Sequence, residues 1–295
     1  MTPPKNSLSA ITLPRLGVGA MPFSGAGADT TQAEAVWHHT FDLGLTLINT
    51  ADCYAPSGAE FGHNERLVGA AVSSYAPGRE AVTVVTKIGI TRDNEVWARN
   101  NSPEYLKNAA QRSVERLGLV PDVMCIHRLN REQSLSEAVT AMCEIRDSGL
   151  TKHIGLSNVS QAEFDLAWEV SEGTIAVVEN EQSPRYREGG EILESCRERN
   201  VSFLAWSPLG GGSDAAALGE LYPAFAQVAQ AHGATAQQIA LAWLLSKSSA
   251  MTPIPAFTRI ETADSSRAAL DITLSQSEVE ILNASPAGPG ALFPD

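Results

Sequence analysis

Three side chains able to move a proton stand where apolar, β-branched runs give way to loops. Lys87 closes the run Val82–Lys87, His127 closes Val123–His127, and Tyr54 follows the run Thr46–Asn49 by five residues. Taken singly, each has a plain reading: a loop tyrosine, a strand-end lysine, a histidine satisfied within a core. The lysine is the hardest to dismiss, because an ammonium at the end of a buried strand requires a polar or charged partner. Together the three arrive from successive strands at equivalent positions, and that conjunction points to acid–base work. A free tyrosine, with a pKa of about 10, is a poor acid at neutral pH. An ammonium within about 4–6 Å favours the phenolate and is expected to lower that pKa. Such a tyrosine can protonate a carbonyl oxygen while hydride reaches the carbonyl carbon, and a neutral histidine can orient the carbonyl or share the proton. No side chain carries hydride, so this chemistry requires a cofactor.

The elements that hold these residues can be read from hydrophobic periodicity. Eight runs are expected to be strands: Leu16–Ala20, Thr46–Asn49, Val82–Lys87, Val123–His127, His153–Leu156, Ile175–Glu179, Ser202–Trp206 and Met251–Pro255. Helical patterns separate them at Thr31–Leu43, Asn64–Ser73, Pro103–Leu117, Ser134–Ser148, Ser160–Val170, Gly189–Asn200, Pro223–Ala231 and Ala234–Ser246. Ser102 with Pro103 marks a helix start and Gly118 its stop, and Ser134 with Glu137 and Ser160 with Glu163 have capping-box spacing. Strands alternating with helices predict an α/β fold, a single (β/α)8 TIM barrel spanning residues 1–295. In that fold the loops that follow the strands share the face that carries the chemistry. The competitor, a doubly wound sheet, would show a glycine fingerprint after its first strand. Leu16-Gly17-Val18-Gly19-Ala20-Met21 has the first two glycines and lacks the third. The Pro-, Gly- and Ala-rich tail from Asn283 is expected to drape over the barrel or to be mobile.

Composition narrows the function classes. The 295 residues are 43% hydrophobic, enough for a large core, and no Pro/Gly/Ser-rich linker divides them. With 34 Asp+Glu against 21 Lys+Arg, the formal net charge is −13, which opposes nucleic-acid binding. No apolar run reaches the roughly 18 residues of a membrane helix, and the N-terminus has no apolar signal-peptide core. Cys53, Cys125, Cys143 and Cys196 have neither CxxC nor zinc-ligand spacing, so no metal is expected. They read as free thiols of a reducing cytoplasm. Cys53 adjoins Tyr54, but a nucleophilic thiol requires a local base, and the Tyr/Lys/His set explains the site without it.

The motifs that carry these residues resemble the aldo-keto reductase family over nearly the whole chain, from Leu16 to about Leu282. LINTADCY, VVTKIG, PDVMCIHRLN, RDSGLTKHIGLSN, FLAWSPLGGG and IPAFTR are similar to that family's motifs, in that order. The resemblance implies a barrel that binds NADP(H) and reduces an aldehyde or ketone, or runs the reverse. It implies Tyr54 as acid, Lys87 as its partner and His127 as the group that orients a small-molecule carbonyl substrate. It implies a cofactor set of Ser157, Asn158, Glu179, Trp206, Ser207, Leu209, Gly210, Gly211, Thr258 and Arg259. Physics supports the phosphate end independently: barrels often bind phosphate after strands seven and eight, where Gly210-Gly211-Gly212 and Arg259 fall.

The departures are specific. Asn49 stands where the family has its active-site Asp, so Lys87 is expected to have only a neutral hydrogen-bond partner. Glu179 stands where the family has a Gln that binds the nicotinamide carboxamide, so a carboxylate is expected to have moved from the lysine to the nicotinamide. Ser266 stands where NADP-binding members often have Asn. His127, by contrast, is retained, and the resemblance implies carbonyl rather than C=C reduction, since double-bond reduction in this family resembles sites with Glu at that place. Asn49 also keeps open a second class, a cofactor-binding regulatory or redox-sensing barrel with little turnover. A metal hydrolase barrel finds no carboxylate/His cluster in support. The substrate pocket is expected near Met21, Phe23, Tyr54, Trp97, His127 and the tail, in a monomer or small homo-oligomer.

Overall fold

A computed structural model describes residues 11–293. Among the described residues the strands are β1 (Val18–Gly19), β2 (Leu47–Asn49), β3 (Thr83–Ile88), β4 (Ile90–Asp93), β5 (Val96–Arg99), β6 (Val123–Ile126), β7 (His153–Ser157), β8 (Ile175–Glu181), β9 (Ser202–Trp206) and β10 (Met251–Pro253). Eight of them form one parallel sheet in the order β1-β2-β3-β6-β7-β8-β9-β10, and β4 and β5 form a separate antiparallel hairpin. The helices between the sheet strands are α1 (Ala33–Asp42), α2 (His63–Ser74), α3 (Pro103–Leu117), α4 (Leu135–Asp147), α5 (Gln161–Val170), α6 (Gly190–Glu198), α7 (Gly212–Ala216), α8 (Leu218–Leu221), α9 (Pro223–His232) and α10 (Ala236–Lys247). Two more, α11 (Ile260–Arg267) and α12 (Gln276–Ala284), follow β10. This curled parallel sheet with alternating helices fits the (β/α)8 pattern.

The seam is shorter than expected. Gly17 and Gly19 donate their N–H groups to the carbonyls of Pro253 and Pro255, at 3.0 and 2.8 Å, and a single parallel bridge links Gly19 to Ala256. Both prolines face β1 and neither has an N–H to return, so the full ladder of a closed barrel does not form there. β1 and β10 accordingly cover only part of the runs Leu16–Ala20 and Met251–Pro255.

Strand parity fills the two sides of the sheet differently, since successive side chains point to opposite faces. Ile48 and Val84 pack outward with Trp37 and Val68 of the helices, and Met124, Leu156, Val178 and Phe203 do the same with helical Met142, Phe164 and Trp243. Leu47, Val85, Val123, Cys125, Val177 and Leu204 face inward and form the interior cluster. The next inward positions toward the strand ends are Asn49, Lys87 and Glu179, so three polar groups crown an apolar interior.

Several helix signals hold. Ser102 caps α3 by accepting from the Tyr105 N–H, and Gly118 ends it in a left-handed conformation. Ser160 and Glu163 form both halves of a capping box, whereas Ser134 accepts from the Glu137 N–H without the return bond. The helical stretches at α11 and α12 were not expected, although Ser275 and Glu278 form a complete capping box at α12. The β4–β5 hairpin, in a stretch that reads as polar loop, was also not expected. It carries Trp97, which is 54% exposed and lies 4.6 Å from the Arg92 guanidinium. Phe23 belongs to the core, edge-on against Trp37 at 5.2 Å.

Gly155 on β7 faces the interior between the strands that carry Lys87 and Glu179. A Cβ there would lie 2.6 Å from Cys125 Sγ and 2.8 Å from the Val177 carbonyl oxygen. Gly155→Ala is therefore expected to destabilise the protein by about 1–3 kcal/mol, the usual range for overpacking. Cys125→Ala in the same chain should relieve only part of this, because the Val177 carbonyl stays. Urea unfolding of the variants checks both.

Candidate active site

The crown of the barrel interior is one hydrogen-bonded cluster. Lys87 Nζ donates to Asn49 Oδ1 at 2.5 Å and to the Thr50 carbonyl at 2.8 Å, and pairs with Glu179 Oε1 at 3.1 Å. Asn49 Nδ2 donates to Glu179 Oε2 at 2.7 Å. The Lys87 and Glu179 side chains are 1% and 2% exposed. This corrects two expectations: the ammonium has a carboxylate partner, and Glu179 turns to the lysine, with one oxygen on Lys87 and the other on Asn49. Desolvation is the largest influence on Lys87 and pulls its pKa down, but Glu179 and then Tyr54 carry the net value above the ordinary one.

The loop after β2 brings Tyr54 to this cluster. It extends the strand pairing, with Thr50 N–H donating to the Val85 carbonyl and Asp52 N–H to the Lys87 carbonyl. Asn64 anchors it from α2 by accepting from Thr50 Oγ1 at 2.6 Å. The Tyr54 ring then lies 5.1 Å from Lys87 Nζ and edge-on to the His127 ring at 5.6 Å. Loss of water pushes the Tyr54 pKa up to about 12; Lys87 opposes this and Glu179 adds to it. The net shift is thus opposite to the one expected from Lys87 alone. His127 sits against Cys53, with Sγ 3.4 Å from Nδ1. Burial, then Lys87, then Arg128 hold its pKa well below the usual 6.5, so the imidazole is neutral. Burial and then Asp52 raise the Cys53 pKa well above the usual range, so the group facing His127 is a thiol rather than a nucleophilic thiolate. Asp52 is buried, and neither of its oxygens has a hydrogen-bond partner among the described residues. It does not substitute for a carboxylate at position 49.

A second group of side chains lies on the same face. Asn158 Nδ2 donates to the His127 carbonyl at 3.0 Å and to Ser157 Oγ at 2.9 Å, and Asn158 Oδ1 accepts from Trp206 Nε1 at 3.1 Å. Asn158 and Ser207 adopt positive φ values of 59° and 46°, a region that asparagine tolerates and serine seldom enters. Gly210 and Gly211 follow at φ 82° and 90°, conformations that turn the backbone N–H groups of the loop as only glycine does freely. Leu209 is half-buried below them, between the two helix-side clusters. Across the seam, Thr258 and Arg259 are exposed. Arg259 occupies the N-cap position of α11 without a side-chain capping bond, and its guanidinium has no protein partner among the described residues. A free cation, a helix N-terminus and a glycine turn on one face fit a polyphosphate ligand. Ser266 is buried on α11. The tail crosses this face: Gly288 N–H donates to the Arg185 carbonyl, Leu292 N–H to Glu181 at 3.0 Å, and the Phe293 ring lies 6.1 Å from that of Trp206.

The aldo/keto reductase family profile matches residues 15–286. The chain belongs to that family. It is 29% identical to pyridoxine 4-dehydrogenase of Escherichia coli (strain K12), over 94% of this chain and 96% of that one. It is 27% identical to the Schizosaccharomyces pombe aldo-keto reductase yakc [NADP(+)], over 95% and 90%. Among solved structures, an aldo/keto reductase from Klebsiella pneumoniae in complex with NADP and acetate superposes with a TM-score of 0.76 at 26% identity, covering 92% of this chain and 90% of that one.

Of the residues expected to act together in this aldo/keto reductase, the structure brings Asn49, Tyr54, Lys87 and His127 into one cluster and moves Glu179 into it. Ser157, Asn158 and Trp206 join through Asn158. Thr50 is a contact of the cluster that residue type alone did not mark, and Cys53, noted in the sequence only as the neighbour of Tyr54, lies against His127. No group of His, Cys, Asp and Glu among the described residues has a metal-binding arrangement. Because His127 is held neutral, carbon-13 NMR of its ring is expected to report one protonation state from about pH 6 to 8, where a free imidazole titrates. A His127 titration near 6.5 would contradict the burial and charge arguments.

Proposed function

We propose that this family member is an NADP(H)-dependent oxidoreductase that interconverts an aldehyde or ketone with the corresponding alcohol. The observation that carries this reading is the convergence of Tyr54, buried Lys87 and neutral His127 at the ends of neighbouring strands. Ser157, Asn158 and Trp206 would hold the nicotinamide end of the cofactor. The backbone at Ser207, Leu209, Gly210 and Gly211 would meet its pyrophosphate, and Thr258 and Arg259 its 2′-phosphate. When bound, the cofactor supplies or accepts the hydride. Tyr54 donates its phenolic proton to the substrate carbonyl oxygen. A phenol with a pKa of about 12 stays protonated at neutral pH and still gives its proton to the much more basic developing alkoxide. Lys87 stabilises the phenolate left behind, and His127 orients the carbonyl as a neutral donor. In the reverse direction the phenolate form of Tyr54, a minor species at neutral pH that Lys87 stabilises, takes the alcohol proton. The alternative, a cofactor-binding barrel with little turnover, was kept open by Asn49; the 3.1 Å pairing of Lys87 with Glu179 favours the catalytic reading, and turnover with a panel of carbonyl substrates discriminates the two.

Tyr54→Phe keeps the ring and removes the acid. It is expected to cut steady-state carbonyl reduction by about 10²-fold or more while cofactor affinity holds; a Phe variant as fast as the parent would refute the assignment. Arg259→Ala is expected to weaken NADPH by about 10- to 100-fold, the scale of charge-assisted hydrogen bonds, and to leave NADH nearly unchanged. Fluorescence titration with both cofactors tests this, and equal losses for the two would exclude a 2′-phosphate contact.

A further inference from the structure

We infer that Asn49 and Glu179 form an interchangeable carboxamide–carboxylate pair, in which Glu179 reaches across the barrel interior to serve as the counter-ion that positions Lys87 beside Tyr54. This rests on the proposed acid role of Tyr54 and assigns Glu179 to proton chemistry rather than to the cofactor.

Three contacts close a triangle: Lys87 Nζ to Asn49 Oδ1, Lys87 Nζ to Glu179 Oε1, and Asn49 Nδ2 to Glu179 Oε2, at 2.5, 3.1 and 2.7 Å. Every donor in the triangle meets an acceptor, and the amide of Asn49 is oriented by what lies on each side of it. The triangle contains one ammonium, one amide and one carboxylate. Its bonding survives if the last two trade places. An aspartate on β2 would accept from Lys87 and from the new glutamine amide, while the glutamine carbonyl on β8 would accept from Lys87. Asn and Asp, and Gln and Glu, match in shape, so the exchange leaves packing nearly untouched.

Either single change breaks the pattern. Asn49→Asp sets two carboxylates against each other across 2.7 Å, and one must hold a proton. Glu179→Gln leaves Lys87 buried with no carboxylate partner, so the largest influence that opposes desolvation is lost and its pKa falls. Lys87 then loses its proton as pH rises through a range in which the parent keeps it.

The test is kinetics and unfolding of Asn49→Asp, Glu179→Gln and the double variant, with Tyr54→Phe alongside. In steady-state reduction of a reactive aldehyde with saturating NADPH, Glu179→Gln is expected to lose about 10²-fold in kcat, the cost of a misplaced catalytic group. Its alkaline limb should move to lower pH. The double variant is expected to return to within about tenfold of the parent, with the parent's pH profile. A Glu179→Gln enzyme with parental rate and pH profile would overturn the inference. So would a double variant no better than Glu179→Gln, since Glu179 would then act locally. If Glu179→Gln does not fold, a folded, active double variant supports the exchange and an unfolded one overturns it. If Tyr54→Phe turns over normally, the acid assignment falls, and the unfolding free energies of the same variants decide the counter-ion claim separately. Destabilisation by Glu179→Gln and recovery in the double variant sustain it; additive losses overturn it.

Discussion

The structure turns on a single ammonium held out of water. Lys87 lies at the top of an apolar interior, 1% exposed, and an unpaired cation there would cost several kcal/mol. What surrounds it follows from that constraint. β2 supplies an amide oxygen, the residue after it a carbonyl, and β8 a carboxylate from across the barrel. Gly155 on β7 keeps the interior beneath them from overfilling. The loop after β2 is tied to the Lys87 backbone through Asp52, so Tyr54 inherits its position from the strand that carries the lysine.

The same field sets the chemistry nearby. Burial alone would make Tyr54 a very weak acid, and Lys87 limits that effect. Burial and the Lys87 charge act together on His127 and keep it neutral. A phenol that stays protonated and an imidazole that stays neutral suit donation to a carbonyl oxygen better than removal of a proton from a weak acid. Glu179 balances the lysine charge and raises the Tyr54 pKa, so one ion pair bears on both Tyr54 and, through Lys87, His127.

Much of this was legible in the sequence. A lysine ending an apolar strand and a histidine ending the next both declare themselves, because each breaks the pattern that buries its neighbours. The glycine turn at Gly210 and Gly211 and the exposed Arg at position 259 were likewise marked in the sequence by residue type and by their places after the last two sheet strands. The partner of Lys87 was not legible. Asn49 and Glu179 lie 130 residues apart and touch only because both occupy inward positions of a curled sheet. Reading Asn49 alone suggested a missing charge that the fold restores from another strand. The β4–β5 hairpin was hidden by polar residues, although Asn94 and Glu95 make its turn with positive φ at both positions, a hairpin geometry that asparagine tolerates. The short seam was readable in principle, from two prolines at alternate positions of the last strand.

The ion pair itself is the most direct point of test. The free energies of unfolding of the parent, Lys87→Met, Glu179→Gln and the double variant, taken without cofactor, form a cycle that isolates the Lys87–Glu179 interaction. Breaking a buried pair from one side costs about 3–5 kcal/mol because it strands a charge, whereas removing both charges strands none. The expected result is a double variant more stable than the sum of the single losses implies, by about 2 kcal/mol or more. Additive losses would contradict a direct charge partnership between β3 and β8, and with it the arrangement on which the acid–base site depends.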